Sequence, residues 1–206
     1  MRIRTKKELS IYLSNLKKYI YPKLEFEQYV TDPELASELL WYAHLSGDIE
    51  NREIADLGAG TGILGIGALL LGAKKVYFVE KDVDAVKILK ENITSIGVCK
   101  NYEILTEDVL NFHNRVDVII SNPPFGIQSK EFEKFIIKFF DLSDVFYAIF
   151  HISKKPYVLN LIEEKGWKLC YIKDSILTID KTYWFHEKDR ENIPIFWVKA
   201  CKFSTQ

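Results

Sequence analysis

The sequence predicts a three-layer α/β/α fold, built on a mostly parallel, seven-stranded sheet with an antiparallel hairpin at one edge. From residue 53 onward, short β-branched and aromatic runs alternate with amphipathic helical stretches. Such alternation produces right-handed βαβ units and a parallel sheet with helices on both faces. The last two runs follow one another without a helix between them, which predicts an antiparallel pair of strands.

Two helices are predicted ahead of this alternation. Residues 1–24 are basic and carry leucines three to four positions apart, which predicts an amphipathic helical arm that Pro22 ends. A second helix is predicted to begin at Asp32 or at the residue before it. Asp32 is a good capping residue, and Pro33 suits the first helical position.

The later elements follow in order along the chain. The predicted strands are apolar and rich in β-branched residues, and they cover residues 53–57, 75–80, 102–106, 116–121, 145–152, 167–174 and 193–203. The predicted helices carry an apolar stripe and cover residues 61–73, 82–97, 130–140 and 155–166. Residues 175–192, between the last two strands, are predicted to form a long loop.

Length and composition favour one globular protein. With 206 residues, the chain can build one good core, and we expect residues 1–50 to form an extension packed on a single unit over residues 51–206. No apolar run approaches the roughly 18 residues that span a bilayer. The basic N-terminus lacks the apolar core of a signal peptide. We therefore expect a cytoplasmic protein without a membrane segment.

The cysteines and the net charge limit the kinds of site and partner that the protein can have. The three cysteines, Cys99, Cys170 and Cys201, are far apart and odd in number, so we expect reduced thiols, and no spacing suits a zinc site. The net charge of −1 makes the chain no polycation, so any contact with nucleic acid needs a local basic patch. The candidate patches, each equally well explained as a solvated surface, are Arg2, Arg4, Lys6, Lys7, Lys17 and Lys18, and Lys181, Lys188 and Arg190.

A glycine-rich segment joins the first predicted strand to its helix. Three of its residues, Gly60, Gly62 and Gly65, satisfy the G-x-G-x-x-G dinucleotide pattern, and Glu80 ends the next strand. That pattern alone proposes NAD and an oxidoreductase. Two features disfavour this alternative: Gly65 falls inside the predicted helix, and Asp56 precedes the loop. A carboxylate there suits a ligand with an ammonium group and no phosphate, such as S-adenosylmethionine (SAM).

The stretch "DLGAGTG" resembles motif I of the class I SAM-dependent methyltransferases, D/E-x-G-x-G-x-G, at every defined position. The resemblance implies a Rossmann-like methyltransferase fold over residues 51–206 and SAM as cofactor. It implies that Glu80 holds the ribose hydroxyls, that Asp108 accepts from the adenine amino group, and that the main chain at Val109 fixes the ring. The full set implied to bind the cofactor in this region is Asp56, Gly58, Gly60, Thr61, Gly62, Ile63, Glu80, Asp108 and Val109.

The stretch "SNPPFG" follows the fourth predicted strand. The pattern D/N-P-P-F/Y/W is typical of methyltransferases that act on planar nitrogens, including exocyclic base amines and glutamine amides. The side-chain oxygen of Asn122 and the carbonyl of Pro123 could accept the two N–H groups of such an amine. Pro124 would brace the loop, and Phe125 would offer a stacking face. We therefore expect these four residues to be catalytic, with Asn122 also bordering the cofactor.

The segment "PKLEFEQYVTDPELASELL" resembles the N-terminus of the archaeal and eukaryotic adenine-N6 methyltransferases of small-subunit ribosomal RNA, and "YAIFHIS" and "TYWFHEKD" match their layout. The resemblance implies that Gln28, Tyr29 and Thr31 close over the SAM pocket. It also implies RNA as substrate and a small zinc-binding activator that adds a strand to the sheet edge. The aromatic late loop with His186 could stack on RNA or simply pack, and the abrupt helix after "NPPFG" leaves the substrate open.

Three alternatives remain open from the sequence. A glutamine methyltransferase of a release factor shares "NPP" followed by an aromatic residue, although such enzymes usually carry a larger helical N-terminal domain than residues 1–50 provide. A non-catalytic protein that keeps the SAM fold is a second alternative, which the intact acidic residues and Asn122 disfavour. The dinucleotide-dependent oxidoreductase is the third.

Overall fold

A computed structural model describes residues 3–19, 31–97, 101–124, 129–180 and 190–203. Seven strands form one sheet in the order β3-β2-β1-β4-β5-β7-β6. Their bounds are β1 Glu53–Leu57, β2 Lys75–Val79, β3 Tyr102–Leu105, β4 Val118–Ser121, β5 Val145–His151, β6 Trp167–Asp180 and β7 Arg190–Lys202. β1 to β5 run parallel, and β7 pairs antiparallel with both β5 and β6. The predicted fold class is confirmed.

Helices cover both faces of this sheet. Their bounds are α1 Lys6–Ser14, α2 Pro33–Leu45, α3 Ile63–Leu70, α4 Val83–Ser95, α5 Ser129–Leu142 and α6 Lys155–Glu164. Apolar residues of α1 to α4 form one buried cluster with one face of the sheet, and those of α5 and α6 form a second cluster with the opposite face. Neighbouring residues of β1 alternate between them, since Ile54 belongs to the first cluster and Ala55 to the second.

The N-terminal helix is shorter than the sequence predicts. Thr5 caps its start by accepting from the N–H of Glu8, and the helix ends at Ser14 instead of continuing to Pro22. The side chains of Ser14 and Asn15 both donate to the carbonyl of Ile11, at 2.8 and 3.0 Å. Such side-chain bonds compete with helical main-chain bonds and favour termination. Pro22 itself lies outside the described residues.

The second helix begins where the sequence predicts. Asp32 is its cap and accepts from the N–H groups of Glu34 and Leu35, and Pro33 occupies the first turn. α2 then packs closely on α3, because a Cβ at Gly67 would lie 2.3 Å from Cδ1 of Leu40. This close contact fixes the start of α2 relative to the glycine-rich loop that precedes α3.

The predicted loop over residues 175–192 is too long. β6 continues to Asp180 and β7 starts at Arg190, so nine of these 18 residues belong to the β6–β7 ladder. The pairing of β7 with β5 ends at Ile195 opposite His151. The remaining rungs of the β6–β7 hairpin therefore project beyond the carboxyl end of β5. Residues 181–189, including His186, lie outside the described residues.

The expectation of three reduced cysteines is also wrong for two of them. Cys170 and Cys201 form a disulfide with a Cα–Cα distance of 6.2 Å, across 31 positions of sequence. The hairpin places β6 and β7 side by side and brings the two residues together, because an irregularity between Leu169 and Tyr171 shifts the register there. Cys99 lies outside the described residues.

None of the described helices has both the length and the apolar character needed to cross a membrane.

Candidate active site

The carboxyl ends of β1, β2, β3 and β4 meet at one edge of the sheet, and polar residues follow each strand there. β1 carries Asp56 near its end, and β2 is followed by Glu80. Asp108 comes after β3, and Asn122 comes directly after β4. In open α/β sheets, ligands bind at this edge. The structure thus brings together the acidic and amide residues that the sequence marks as candidates.

The glycine-rich loop is pinned to the neighbouring strand. The N–H groups of Gly58 and Ala59 both donate to the carbonyl of Val79, at 2.9 and 3.0 Å. Gly60 and Gly62 have φ angles of +56° and +89°, which a residue with a side chain rarely adopts. A Cβ at Gly62 would also lie 2.1 Å from Leu89 in α4. The loop therefore requires glycine at Gly62 for two reasons, its backbone angle and the absence of space for a side chain.

Asp56 caps the helix that follows the loop. It is 1% exposed, and its Oδ2 accepts from the N–H of Gly65 at 2.8 Å. Gly62, the cap residue of α3, has no side chain to do this, so the strand supplies the acceptor instead. Burial raises the pKa of Asp56 to about 7, partly offset by the Gly65 N–H, and the nearby Glu80 raises it further. A bound ammonium group would favour the charged form.

Gly65 itself has a packing role. It lies within α3, and a Cβ there would come 2.3 Å from the ring of Phe78 in β2. The third glycine of the dinucleotide pattern is thus a contact point between helix and sheet, as expected for a residue inside the helix.

Glu80 links the glycine loop to the start of α4. Its Oε2 accepts from the N–H of Gly60 at 2.8 Å, and its Oε1 accepts from the N–H of Asp82 at 2.9 Å. Burial raises the pKa of Glu80, while these two N–H groups oppose the rise. Each carboxylate oxygen has a second lone pair, so both can still accept a ribose hydroxyl. Glu80 therefore orients the loop, and its binding of a ribose remains a prediction.

The end of β3 supplies the third acidic position. Asp108 starts a short 3₁₀ turn over Val109–Asn111, and its Oδ1 accepts from the N–H of Leu110 at 2.9 Å. Lys81 approaches its other oxygen at 3.7 Å. Val109 is buried beside it, 5% exposed. Asp108 is therefore a capping residue at the predicted adenine end of the site, and its bond to adenine remains a prediction.

Asn122 presents its amide in a defined orientation. Its Nδ2 donates to Oγ1 of Thr31 at 3.0 Å. Its Oδ1 is buried and has no hydrogen-bond partner among the residues that the structure describes. Ser121 anchors the same loop by donating from Oγ to the carbonyl of Leu57 at 2.7 Å. A buried amide oxygen without a partner suggests a ligand donor that completes it.

Several predicted residues are not placed by the structure. Gln28, Tyr29 and Phe125 lie outside the described residues. Pro123 is buried and Pro124 is partly buried, directly after Asn122. In the described part of the chain, no group of three or more His, Cys, Asp or Glu residues could hold a metal ion.

Two residues that were not predicted from the sequence join the N-terminal arm to the glycine loop. Asn92 in α4 accepts from the N–H of Lys17 at 2.7 Å, and its Nδ2 donates to the carbonyls of Lys17 and Thr61 at 3.1 and 2.9 Å. Tyr19 places its hydroxyl 2.6 Å from the position of a Cβ at Gly60. The sequence does carry a signal for Asn92, because it is a polar residue on the apolar face of α4. There it is 1% exposed.

Comparison with known proteins identifies the family of this chain. The family model of the methyltransferase small domain matches residues 31–145, which is more than half of the chain. The chain belongs to the methyltransferase small-domain family. It is 34% identical to an uncharacterized protein of Methanocaldococcus jannaschii, over 97% of this chain and 96% of that protein. It is 28% identical to the rRNA N(6)-adenosine-methyltransferase Mettl5 of Drosophila melanogaster, over 93% of this chain and 94% of that protein.

A solved structure agrees over nearly the whole length. A Pyrococcus horikoshii protein assigned to the RNA methyltransferases superposes with a TM-score of 0.89 at 40% identity, covering 98% of this chain and 100% of that one. The methyl donor of this methyltransferase is SAM. The described residues have chemistry that fits that donor, because a carboxylate at Asp56 could pair with its ammonium group and Glu80 could accept from its ribose hydroxyls beside the glycine loop.

We expect the stability cost of Asp56 to grow with pH. The unfolded carboxyl releases its proton near the ordinary pKa of 3.8, whereas the folded one holds it up to about 7. The unfolded state then binds fewer protons in that window, so stability falls as pH rises through it. From about pH 5 to about pH 8, wild type should lose about 3 kcal/mol more than Asp56→Asn, measured by urea unfolding. Equal slopes for the two proteins would contradict the assignment.

We expect Asn92→Asp to loosen the arm from the glycine loop. The variant keeps an acceptor for Lys17 but leaves the carbonyls of Lys17 and Thr61 without their donor. Unfolding should become about 1–3 kcal/mol easier, and calorimetry should show weaker SAM binding. Asn114→Asp, which adds the same charge at an exposed position, is the control. If Asn92→Asp matches this control in both measurements, the bridging role is wrong.

Proposed function

We propose that the protein transfers a methyl group from SAM to the N6 amine of an adenine in RNA, with small-subunit ribosomal RNA as the substrate. The observation that carries this proposal is the buried amide oxygen of Asn122, which has no partner among the described residues and stands at the same sheet edge as the glycine loop. Mettl5 of Drosophila melanogaster, whose name gives rRNA N6-adenosine as its substrate, supports the choice of amine.

The chemistry requires activation of a poor nucleophile. The lone pair of an exocyclic base amine is delocalised into the ring, so the nitrogen attacks only when that pair is localised. Asn122 Oδ1 would accept one N–H of the amine, and the carbonyl of Pro123 would accept the other. Both acceptors stabilise the positive charge that develops on the nitrogen. Phe125 would stack on the base and hold it out of any helix.

SAM supplies an electrophilic methyl group on a sulfonium whose thioether leaves without protonation. With SAM bound beside the glycine loop, the amine nitrogen would take the methyl group as the carbon–sulfur bond breaks, and the amine would then release a proton to solvent. Asn122 is a neutral amide and cannot take that proton as a base. Its contribution is orientation and charge stabilisation, with the rigid prolines that follow it limiting the motion of the loop.

The projecting part of the β6–β7 hairpin is the proposed RNA contact. Its rungs beyond Ile195 stand past the carboxyl end of β5, on the side of the sheet where Asn122 lies. The joining residues 181–189 include three consecutive aromatic residues between Lys181 and Lys188. Aromatic residues stack on unpaired bases and lysines pair with phosphates.

The domain bounds, the location in the cell and an activator partner are further parts of this proposal. Residues 1–50 form an extension of a methyltransferase domain over residues 51–206, and the substrate implies action in the cytoplasm. A small zinc-binding activator adds a strand to the sheet edge. The described sheet ends in β3 on one side and in β6 on the other, so either edge offers unpaired main-chain groups.

A glutamine side-chain amide of a release factor is the second candidate substrate, because it presents the same planar nitrogen to Asn122. A transfer assay with labelled methyl groups separates the two. We expect transfer to small-subunit rRNA, with N6-methyladenosine as the product nucleoside, and none to release factor. Labelled glutamine in place of labelled adenosine would overturn the proposed substrate.

We expect Asn122→Ala to slow transfer about 10²–10³-fold, the loss typical of removing one stabilising polar group from an active site. SAM affinity, measured by calorimetry, should stay close to that of wild type, because the acceptor acts on the substrate amine. Asn114→Ala removes an exposed amide and serves as the control. Full activity of Asn122→Ala would show that the proposed role of Asn122 is wrong.

A further inference from the structure

We propose that Thr31 is a positioning residue for Asn122, and that its hydroxyl directs the amide oxygen of Asn122 toward the substrate amine. The inference rests on the proposed function and assigns Thr31 a role beyond the cover over SAM that the sequence resemblance implies. The two residues are 91 positions apart, and Nδ2 of Asn122 donates to Oγ1 of Thr31 at 3.0 Å.

Orientation matters because an asparagine amide can turn by half a revolution and exchange its oxygen and nitrogen. With the oxygen toward the site, the amide accepts an N–H from the substrate. With the nitrogen toward the site, two N–H donors would face the amine and repel it. An amide without a fixed partner populates both orientations, so the reaction needs a neighbour that holds the nitrogen.

The Thr31 hydroxyl could accept from the amide nitrogen or donate to the amide oxygen, and the burial of the amide decides between the two. Thr31 is 4% exposed, so its hydroxyl is shielded from water that would otherwise compete for the amide. A buried N–H without an acceptor is rarer than a buried oxygen without a donor. Pairing the nitrogen with Thr31 and leaving the oxygen for a ligand is therefore the favoured arrangement, and Oδ1 has no partner among the described residues.

The position of Thr31 is itself fixed from the C-terminal side. Asp32 accepts from the N–H groups of Glu34 and Leu35, at 2.9 and 3.1 Å, and Pro33 restricts the backbone. The β-branched side chain of Thr31 has few rotamers. These constraints limit the positions that the Thr31 hydroxyl can take next to the start of α2.

The same helix is fixed relative to the cofactor loop. Leu40 of α2 fills the space beside Gly67 of α3, so the two helices cannot slide without a clash. The amide orientation at Asn122 is thus tied, through Thr31, α2 and α3, to the glycine loop. The substrate amine and the methyl donor would therefore be held in a fixed position relative to each other.

The test compares Thr31→Val, which keeps the shape and removes the hydroxyl, with Thr31→Ser, which keeps the hydroxyl. We expect Thr31→Val to lower kcat about 10–100-fold, while KM for SAM changes little, and Thr31→Ser to restore most of the rate. Thr94→Val, at an exposed position of α4, is the control. Two results would overturn the proposal. One is an equal loss of kcat in Thr31→Val and Thr31→Ser, and the other is a raised KM for SAM in Thr31→Val without a change in kcat.

A double-mutant cycle tests whether Thr31 acts through Asn122. Under single-turnover conditions, Thr31→Val combined with Asn122→Ala should be no slower than Asn122→Ala alone, because the removed amide has no orientation to lose. If the two losses multiply, Thr31 acts independently of Asn122 and the proposal fails.

An NMR measurement separates this inference from the proposed substrate. The side-chain NH₂ signals of Asn122, identified by their absence in Asn122→Ala, should exchange slowly with water in wild type and quickly in Thr31→Val. If exchange is the same in both proteins, the pairing is wrong, whichever substrate is methylated. If the pairing holds in a wild-type enzyme inactive on adenine but active on another amine, only the proposed substrate is wrong.

Discussion

The bond between the Asp56 carboxylate and the N–H of Gly65 is the interaction on which the rest of the site depends. It joins the end of β1 to the first turn of α3, so the glycine loop between them has a fixed span. A carboxylate with 1% exposure is costly unless it is paired. The N–H of Gly65 at the start of α3 stabilises that charge, and the ammonium group of the proposed ligand would stabilise it further.

The N-terminal segment belongs to the same site at two points. Asn92 binds the backbone of Lys17 on both its N–H and its carbonyl and also reaches Thr61 in the loop. Further along the chain, Thr31 holds Asn122. The arm therefore contacts the glycine loop through Asn92, and the residue before the cap of α2 contacts Asn122.

Local patterns predicted the parts of the structure that local physics determines. β1, the cap at Asp32, and the position of Gly65 inside α3 were predicted from spacing and residue type. Features that depend on distant contacts were not. The Cys170–Cys201 disulfide needs the hairpin register, and the roles of Asn92 and Thr31 need partners 75 and 91 positions away. The early end of α1 does not follow from the spacing of the leucines, because it depends on the side chains of Ser14 and Asn15, which donate to the carbonyl of Ile11.

The central claim is that the buried oxygen of Asn122 receives an N–H of the substrate amine beside the glycine loop. A crystal structure with a covalent conjugate of a SAM analogue and adenosine N6 tests it most directly. The account predicts the N6 atom about 3 Å from Oδ1 of Asn122, with Nδ2 still donating to Thr31 and the amino-acid end near Asp56. An N6 atom that faces Nδ2, or a conjugate bound away from the glycine loop, would contradict it.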